Sequence, residues 1–183
     1  MRLSHPRIAP VRPEDRNDEQ RELMKRFKGS DSLNIFNTLL NHPDLMRRWL
    51  VFANHVLGKS TLPARERELV ILRIGYLCRS GYEWGQHVVI ARAAGVTDDE
   101  IRCVKQGADA PGWSEPDRLL LSATDELHAD AHVGDATWQG LARHFDTRQL
   151  MDIVFAVGQY NLVSMALNSF GVQAEPGLPG LEV

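Results

Sequence analysis

The sequence predicts an all-α protein, a helical bundle built around two consecutive central helices in residues 63–95. Apolar residues recur at helical spacing through most of the 183 residues. Capping residues such as Ser, Thr and Asp, together with Gly and Pro stops, divide the chain into pieces of helical length. No stretch shows the alternation of useful length that a β-strand would require. These three observations favour a bundle of helices over any fold that contains a sheet.

The two central helices have recognisable ends. Pro63 suits the first turn of the first helix, because its missing N–H costs nothing there. The apolar run in 69–77 predicts a helix buried on most sides.

 A break follows near Ser80, which is placed as the N-cap of the second helix, with Glu83 completing a capping box at the third helical position. Gly95 is the expected C-terminal stop of this helix.

The remaining chain is expected to surround this pair. Residues 1–17 carry three prolines and many charges, which predicts an extended N-terminal arm that is either mobile or wrapped around a neighbouring subunit. A short polar helix over 18–28 should end at Gly29, and residues 32–58 should form a helical hairpin that restarts at Pro43.

Four capping signals predict the helices that follow the central pair. Thr97 with Glu100 forms a capping box, Ser114 and Asp135 start two further helices, and residues 146–147 start a long final helix. That helix should end at Gly171, which leaves residues 172–183 as an irregular tail.

Length and composition indicate one domain over residues 1–183 with a substantial core. A net charge of -3 provides no basic surface for nucleic acid, and no apolar run approaches the roughly 20 residues of a membrane span. Because the first residues lack the apolar core of a signal peptide, a cytoplasmic location is expected by default. The apolar helices exceed what a simple bundle buries, which predicts a homo-oligomer, with a dimer as the smallest form.

Three residues of the central helices are the candidate catalytic groups. His87 lies four residues after Glu83, so the two share a helix face, and an imidazole titrates near neutral pH. Glu68 borders a nearly all-apolar helix, where partial burial would raise its pKa and suit it to acid/base work. The structural alternatives are that Glu83 only caps the helix, that Glu68 pairs with Arg65 or Arg73, and that His87 is a core histidine.

Ser80, Tyr82 and Trp84 are the candidate substrate-binding residues. The Ser80 hydroxyl and the first-turn N–H groups could hold an anion at the positive end of the helix. Tyr82 and Trp84, together with Tyr160, are candidate walls of a pocket, with ordinary core packing as the alternative. We predict no metal, because Glu68, Glu83 and His87 form a mixed ligand set without a second histidine. No organic cofactor is expected either.

The central segment resembles the carboxymuconolactone decarboxylase family, which includes the alkyl hydroperoxidase D (AhpD) type of peroxidase. Redox members of that family carry a Glu, eleven residues, Cys-x-x-Cys, three residues and a His. Glu68 and His87 occupy the Glu and His positions, whereas Ser80 and Glu83 stand at the two cysteine positions. Cys78 lies two residues too early to match. The resemblance implies an AhpD-like all-helical fold, assembly into trimers or hexamers, and an active site near the start of the second central helix.

The chain lacks the Cys-x-x-Cys dithiol of the redox members, so the resemblance implies a different activity. The expected substrate is a small molecule. Ser80 and Glu83 cannot run a thiol mechanism, so redox-neutral acid/base chemistry of the decarboxylase (lyase) type, on a small carboxylated or lactone-like substrate, is the first hypothesis. A peroxiredoxin-type peroxidase that uses Cys78 is one alternative. A non-enzymatic oligomer that binds a ligand is the other.

Overall fold

A computed structural model describes residues 1–25 and 32–183. The described residues contain nine α-helices and two short 3-10 helices, and no strand. The predicted all-α class is therefore confirmed, whereas the predicted end of the first helix at Gly29 lies outside the described residues. The α-helices run as follows: α1 Asp18–Met24, α2 Asn34–Leu39, α3 Pro43–Gly58, α4 Ala64–Leu77, α5 Gly81–Ala93, α6 Asp98–Gln106, α7 Glu115–Asp130, α8 Asp135–Leu141 and α9 Thr147–Phe170.

Helix α4 occupies the centre of the molecule. It packs against α5, α6, α7 and α9, and its residues from 68 to 75 are all buried. One core cluster joins α4 to α7 and α9, and a second joins the opposite side of α4 to α5 and α6. A helix surrounded in this way has no solvent face, which explains why its sequence is apolar on nearly every side.

The capping signals place most helix ends correctly. Thr97 with Glu100 and Asp146 with Gln149 form complete capping boxes, and Ser114 accepts a hydrogen bond from the Asp117 N–H. Helix α8 differs slightly from the prediction, because Gly134 is its N-cap and Asp135 its first residue.

The expected capping box at the start of α5 is absent. Ser80 is the N-cap residue, but its side chain makes no capping hydrogen bond. Glu83 turns away from the helix end, and its carboxylate contacts His87 instead. The turn before α5 is closed by the backbone, because Arg79 adopts a left-handed φ of 51° and the Ser80 N–H donates to the Gly75 carbonyl.

Both chain termini pack against the helices of this chain. The N-terminal arm pairs with the end of α9 through backbone N–H groups of Arg7 and Ile8, which donate to the Phe170 carbonyl. The tail over residues 172–183 is irregular, as predicted, and Leu178 and Pro179 lie against Gly85 of α5. Glu175 of the tail accepts hydrogen bonds from the Tyr82 hydroxyl at 2.9 Å and the Gln86 amide at 2.6 Å.

Helix α9 is long and apolar enough, by length and composition alone, to cross a membrane. Half of its most apolar window is buried within the molecule, as expected of a core helix. Its other side exposes a row of large apolar side chains, each more than half exposed: Met151, Phe155, Leu162 and Met165.

Candidate functional site

The three predicted catalytic residues come together between α4 and α5. His87 Nδ1 lies 2.6 Å from Glu68 Oε2, and His87 Nε2 lies 2.9 Å from Glu83 Oε1. The order is therefore Glu68, His87, Glu83, with the imidazole between two carboxylates. Glu68 is fully buried, and Glu83 and His87 are only 4% and 5% exposed.

Helix geometry explains why these side chains meet. Glu83 and His87 are four residues apart, so they lie on one face of α5. That face is turned towards α4, from which Glu68 projects. Gly75 of α4 lies next to Glu83, and a Cβ at this position would be in ordinary van der Waals contact with Glu83 Cγ, at 3.5 Å.

Glu68 does not pair with either arginine considered from the sequence. Arg65 binds Asp117 and Glu100, and Arg73 binds Asp125. The guanidinium that reaches Glu68 is that of Arg67, whose Nε donates to Oε1 at 3.2 Å. Both Glu68 oxygens are therefore engaged, one by Arg67 and one by His87, and this holds the carboxylate in place.

The charges around His87 favour its protonated form. Burial alone would lower the pKa of His87, but the carboxylates of Glu83 and Glu68 outweigh burial and raise it to about 9. At neutral pH the ring is then an imidazolium that carries a proton on each nitrogen. It neutralises one of the two buried carboxylates, and Arg67 offsets the charge of Glu68 from the other side.

A cavity of about 290 Å³ opens next to this cluster. His87 and Glu83 line it, whereas Glu68 does not. The cavity therefore meets the Glu83 end of the cluster. Its walls are mainly apolar and come from α2, α3, α5 and α9: Leu33, Ile35, Phe36, Trp49, Leu50, Ala53, Leu57, Ile90 and Val163.

Two neutral polar side chains of α9 also line the cavity. Gln159 and Tyr160 are 4% and 6% exposed, and within the described part of the chain neither side chain has a hydrogen-bond partner. The Tyr160 ring packs edge-on against His87, with the ring centroids 4.8 Å apart. Burial, together with the charges of Glu83 and Glu68, raises the pKa of Tyr160 well above its ordinary value, so its hydroxyl keeps its proton.

Of the three predicted substrate-binding residues, only Tyr82 lines the cavity. Trp84 is two residues further along α5, on roughly the opposite face, and is fully buried in the core cluster, next to Tyr76. Ser80 precedes the helix and is also fully buried, and its hydroxyl has no partner among the described residues. The structure thus corrects the expectation that Ser80 and Trp84 face the cavity.

Cys78 lies apart from this cavity. It is the C-cap of α4 and lines a separate pocket with Arg2, His128 and Asn161. Its thiol donates to Asn161 Oδ1 at 3.0 Å, and burial raises the pKa of Cys78. Cys103 packs in a different core cluster from Cys78.

Metal ligation finds no support in the described residues. No group of three His, Cys, Asp or Glu side chains in 1–25 and 32–183 is arranged to hold an ion. At His87, both ring nitrogens already face carboxylate oxygens, so neither is directed at an open coordination position.

Sequence reasoning missed Gln159 and Glu175. A signal existed for Gln159, which is a polar residue in the apolar pattern of the final helix. No comparable signal existed for Glu175, because its partner Tyr82 is 93 residues away in the sequence. Asn161 and Asn168 of α9 both bind Cys78: Asn161 accepts from its thiol, and Asn168 donates to its carbonyl.

The chain has an AhpD-like helical fold. A peroxidase-related protein from Ralstonia eutropha JMP134, described as an alkylhydroperoxidase AhpD core, superposes with a TM-score of 0.77 over 94% of this chain and 95% of that chain, at 21% identity. A peroxidase-related protein from Silicibacter sp. TM1040 gives a TM-score of 0.77 over 96% of this chain and 92% of that chain, at 16% identity. At these identities the likeness establishes the fold.

A third similar structure is a complex of a variant of the debrominase Bmp8 with 2,3,4-tribromopyrrole. It has a TM-score of 0.77 over 94% of each chain, at 13% identity. No curated protein matches the sequence significantly. Residues 43–126, which run from the start of α3 into α7, match the model of the carboxymuconolactone decarboxylase family.

Proposed function

We propose that this protein is a redox-neutral acid/base enzyme that moves a proton at a carbon next to a carbonyl group, the step shared by lyases and isomerases. The observation that carries the proposal is the chain of Glu68, His87 and Glu83, which ends at an apolar cavity. Paired acid and base groups at a concave, water-poor site are the usual requirement for this chemistry.

The order of the three residues suggests a role for each. Glu83 lines the cavity and is the general base: it removes a proton from the substrate carbon, and the electron pair moves to the carbonyl oxygen. The His87 imidazolium, 2.9 Å from Glu83, stabilises the ionised carboxylate and is the adjacent proton source. Glu68 does not reach the cavity and is a positioning residue, which fixes the orientation and charge of His87.

The enolate formed in that step needs stabilisation of its negative charge. The Tyr160 hydroxyl and the Gln159 amide are donors on the cavity wall that have no protein partner in the described residues. We assign them to the carbonyl oxygen of the substrate. Return of the proton to carbon gives an isomerase outcome, and departure of a group from the neighbouring carbon gives a lyase outcome.

The peroxidase alternative has less support from the geometry. A peroxidatic cysteine requires a reactive thiolate and, in the dithiol mechanism, a second thiol. The thiol of Cys78 is hydrogen-bonded and has a raised pKa, and it lies in a pocket without His87 or either glutamate. A ligand-binding protein without catalytic activity would use the same cavity. The exchange assay below distinguishes it from an enzyme.

The proposal is tested by deuterium exchange, which needs no knowledge of the natural reaction. The protein is incubated in D₂O with 1-indanone, a neutral ketone with exchangeable hydrogens next to its carbonyl, and proton NMR follows their loss. We expect catalysed exchange that falls by about 10² to 10⁴-fold in Glu83→Gln. Cys78→Ser should retain the wild-type rate. An exchange rate unchanged by Glu83→Gln, or hydroperoxide reduction that disappears in Cys78→Ser, would refute the proposal.

A further inference from the structure

We infer that the cavity beside His87 selects an uncharged, mainly apolar molecule that carries a neutral oxygen group, such as a ketone or a lactone, and discriminates against carboxylates. This inference rests on the proposed function, because it takes the same cavity as the substrate site. The sequence predicts a carboxylated or a lactone-like substrate, and the present inference favours the lactone-like one.

The charges facing the cavity are the first reason. Among the described residues, no Lys or Arg lines it, whereas the carboxylate of Glu83 does. The positive charge of His87 is already paired with Glu83 and Glu68 at 2.9 Å and 2.6 Å. A carboxylate entering from water would lose its hydration and meet no unpaired cation, and this desolvation is costly.

A second reason is the tail residue Glu175, which adds negative charge behind the cavity wall. Its carboxylate accepts hydrogen bonds from Tyr82 and Gln86, and both of these residues line the cavity. The Tyr82 hydroxyl and the Gln86 amide therefore already have an acidic partner. An anionic ligand would face two carboxylates, one at the end of the cavity and one behind its wall.

The neutral polar groups inside the cavity favour a ligand with an uncharged oxygen. Gln159 and Tyr160 are more than nine-tenths buried and have no hydrogen-bond partner in the described part of the chain. Buried polar groups are almost always hydrogen-bonded in native proteins. An amide and a phenol that keeps its proton can both donate to an uncharged carbonyl oxygen, and a ligand with such an oxygen would satisfy them.

The volume of the cavity and its apolar walls also indicate the kind of ligand that fits. The cavity of about 290 Å³ is at the lower end of the range for small-molecule sites. Its other walls are aliphatic and aromatic, with Phe36, Trp49 and Leu50 among them. Such walls favour a compact ring system by burying its apolar surface.

A series of ligands that share one bicyclic skeleton tests the inference. Calorimetry or thermal-shift titration measures the Kd of 1-indanone, indane, indane-1-carboxylate and 1-aminoindane for the wild-type protein at pH 7. We expect 1-indanone to bind best and indane-1-carboxylate to bind at least about tenfold more weakly, because the carboxylate meets no counter-ion. Tighter binding by the carboxylate or the amine, or no binding by any of the four, would overturn the inference.

The role of Gln159 is tested with the same ligands. Gln159→Leu should weaken the binding of 1-indanone by about fivefold, the loss expected for one hydrogen bond, and leave the Kd of indane unchanged. Gln159→Met provides a second apolar replacement should the first perturb folding. The matched control is Gln139→Leu, an exposed glutamine of α8 that is not part of the cavity. An unchanged ratio of the two affinities in both Gln159 variants would contradict the assignment.

The two proposals fail separately. Binding of 1-indanone without deuterium exchange would reject the acid/base function and keep the ligand class. Exchange that is catalysed at Glu83, combined with a preference for the carboxylate, would keep the function and reject the ligand class.

Discussion

At the scale of single residues, the site depends on the environment of one imidazole. His87 is buried between two carboxylates, and the consequence is a charged ring in a place where a lone histidine would be neutral. In the proposed mechanism, the imidazolium 2.9 Å from Glu83 is the counter-charge of that carboxylate at the edge of an apolar cavity. The proposed acid/base step therefore depends on all three residues.

The raised pKa of His87 makes stability depend on pH in a defined direction. Its folded-state pKa of about 9 exceeds the ordinary value of 6.5, so the folded state binds this proton more tightly than the unfolded chain. The resulting stabilisation is fully present below about pH 6.5 and is lost as pH rises through about 9, and it amounts to roughly 3 kcal/mol.

Urea unfolding between pH 6 and 10 measures this loss. His87→Gln should remove most of the decline over that window, and His144→Gln, at an exposed histidine, serves as the control. A free energy of unfolding that rises with pH over the same window would contradict the assignment.

Removal of the Glu68 carboxylate should lower the pKa of His87, because one of its two anionic partners is lost. NMR titration of the His87 ring in Glu68→Gln measures the change, with Glu66→Gln on the same helix as the control. We also expect the deuterium-exchange rate of Glu68→Gln to fall first at high pH, where the His87 imidazole is neutral. An unaltered His87 titration would show that Glu68 does not act through the imidazole.

At the scale of elements, the ends of the helices determine where the functional side chains lie. Helix α5 begins after a left-handed Arg79, without the side-chain cap that the sequence suggests, and this leaves Glu83 available to His87. The end of α6 is held differently. Arg73 of α4 donates to the carbonyls of Val104 and Lys105 and pairs with Asp125 of α7.

Gly107 is required at this end of α6 for two reasons. Its φ of 83° favours glycine, and a Cβ would lie 2.5 Å from the guanidinium of Arg73. We expect Gly107→Ala to destabilise the protein by about 2 to 4 kcal/mol, from backbone strain and from displacement of Arg73.

The control for this prediction is Gly112→Ala. Gly112 has a similar φ of 91°, but a Cβ there would meet nothing within 4 Å. This variant should show the backbone cost alone, about 1 to 2 kcal/mol. Denaturant unfolding of both variants measures the difference, and equal losses would show that the Arg73 contact contributes nothing.

At the scale of the whole molecule, one surface is unusually apolar. Met151, Phe155, Leu162 and Met165 lie along one side of α9, and Phe52 of α3 packs edge-on against Phe155. Large exposed apolar patches mark interaction sites in many proteins. We propose that this surface joins copies of the chain in a homo-oligomer.

Phe155→Asp should dissociate such an oligomer, because it places a charge in an apolar contact. Sedimentation velocity of the wild-type and variant proteins measures the change, and Arg148→Asp, on the exposed first turn of the same helix, is the matched control. A monomeric wild-type protein, or an assembly unaffected by Phe155→Asp, would refute the proposed contact.

Much of the fold was predictable because helix signals are local. Capping at Thr97, Ser114 and Asp146, and the restart at Pro43, each depend on a few neighbouring residues. The grouping of Glu83 with His87 follows from the same local rule of helical spacing. The family resemblance placed Glu68 at the Glu position of the motif, and the structure supplies its contact with His87 and the order of the three residues.

The sequence by itself determined the helical class, most helix ends and the shared helix face of Glu83 and His87, because all of these follow from periodicity and short spacing. Only the tertiary structure decided which residues face the cavity, since this depends on the relative rotation of helices that are distant in the chain. That rotation buries Ser80 and Trp84, brings Gln159 and Tyr160 beside His87, and allows the tail to reach Tyr82 through Glu175.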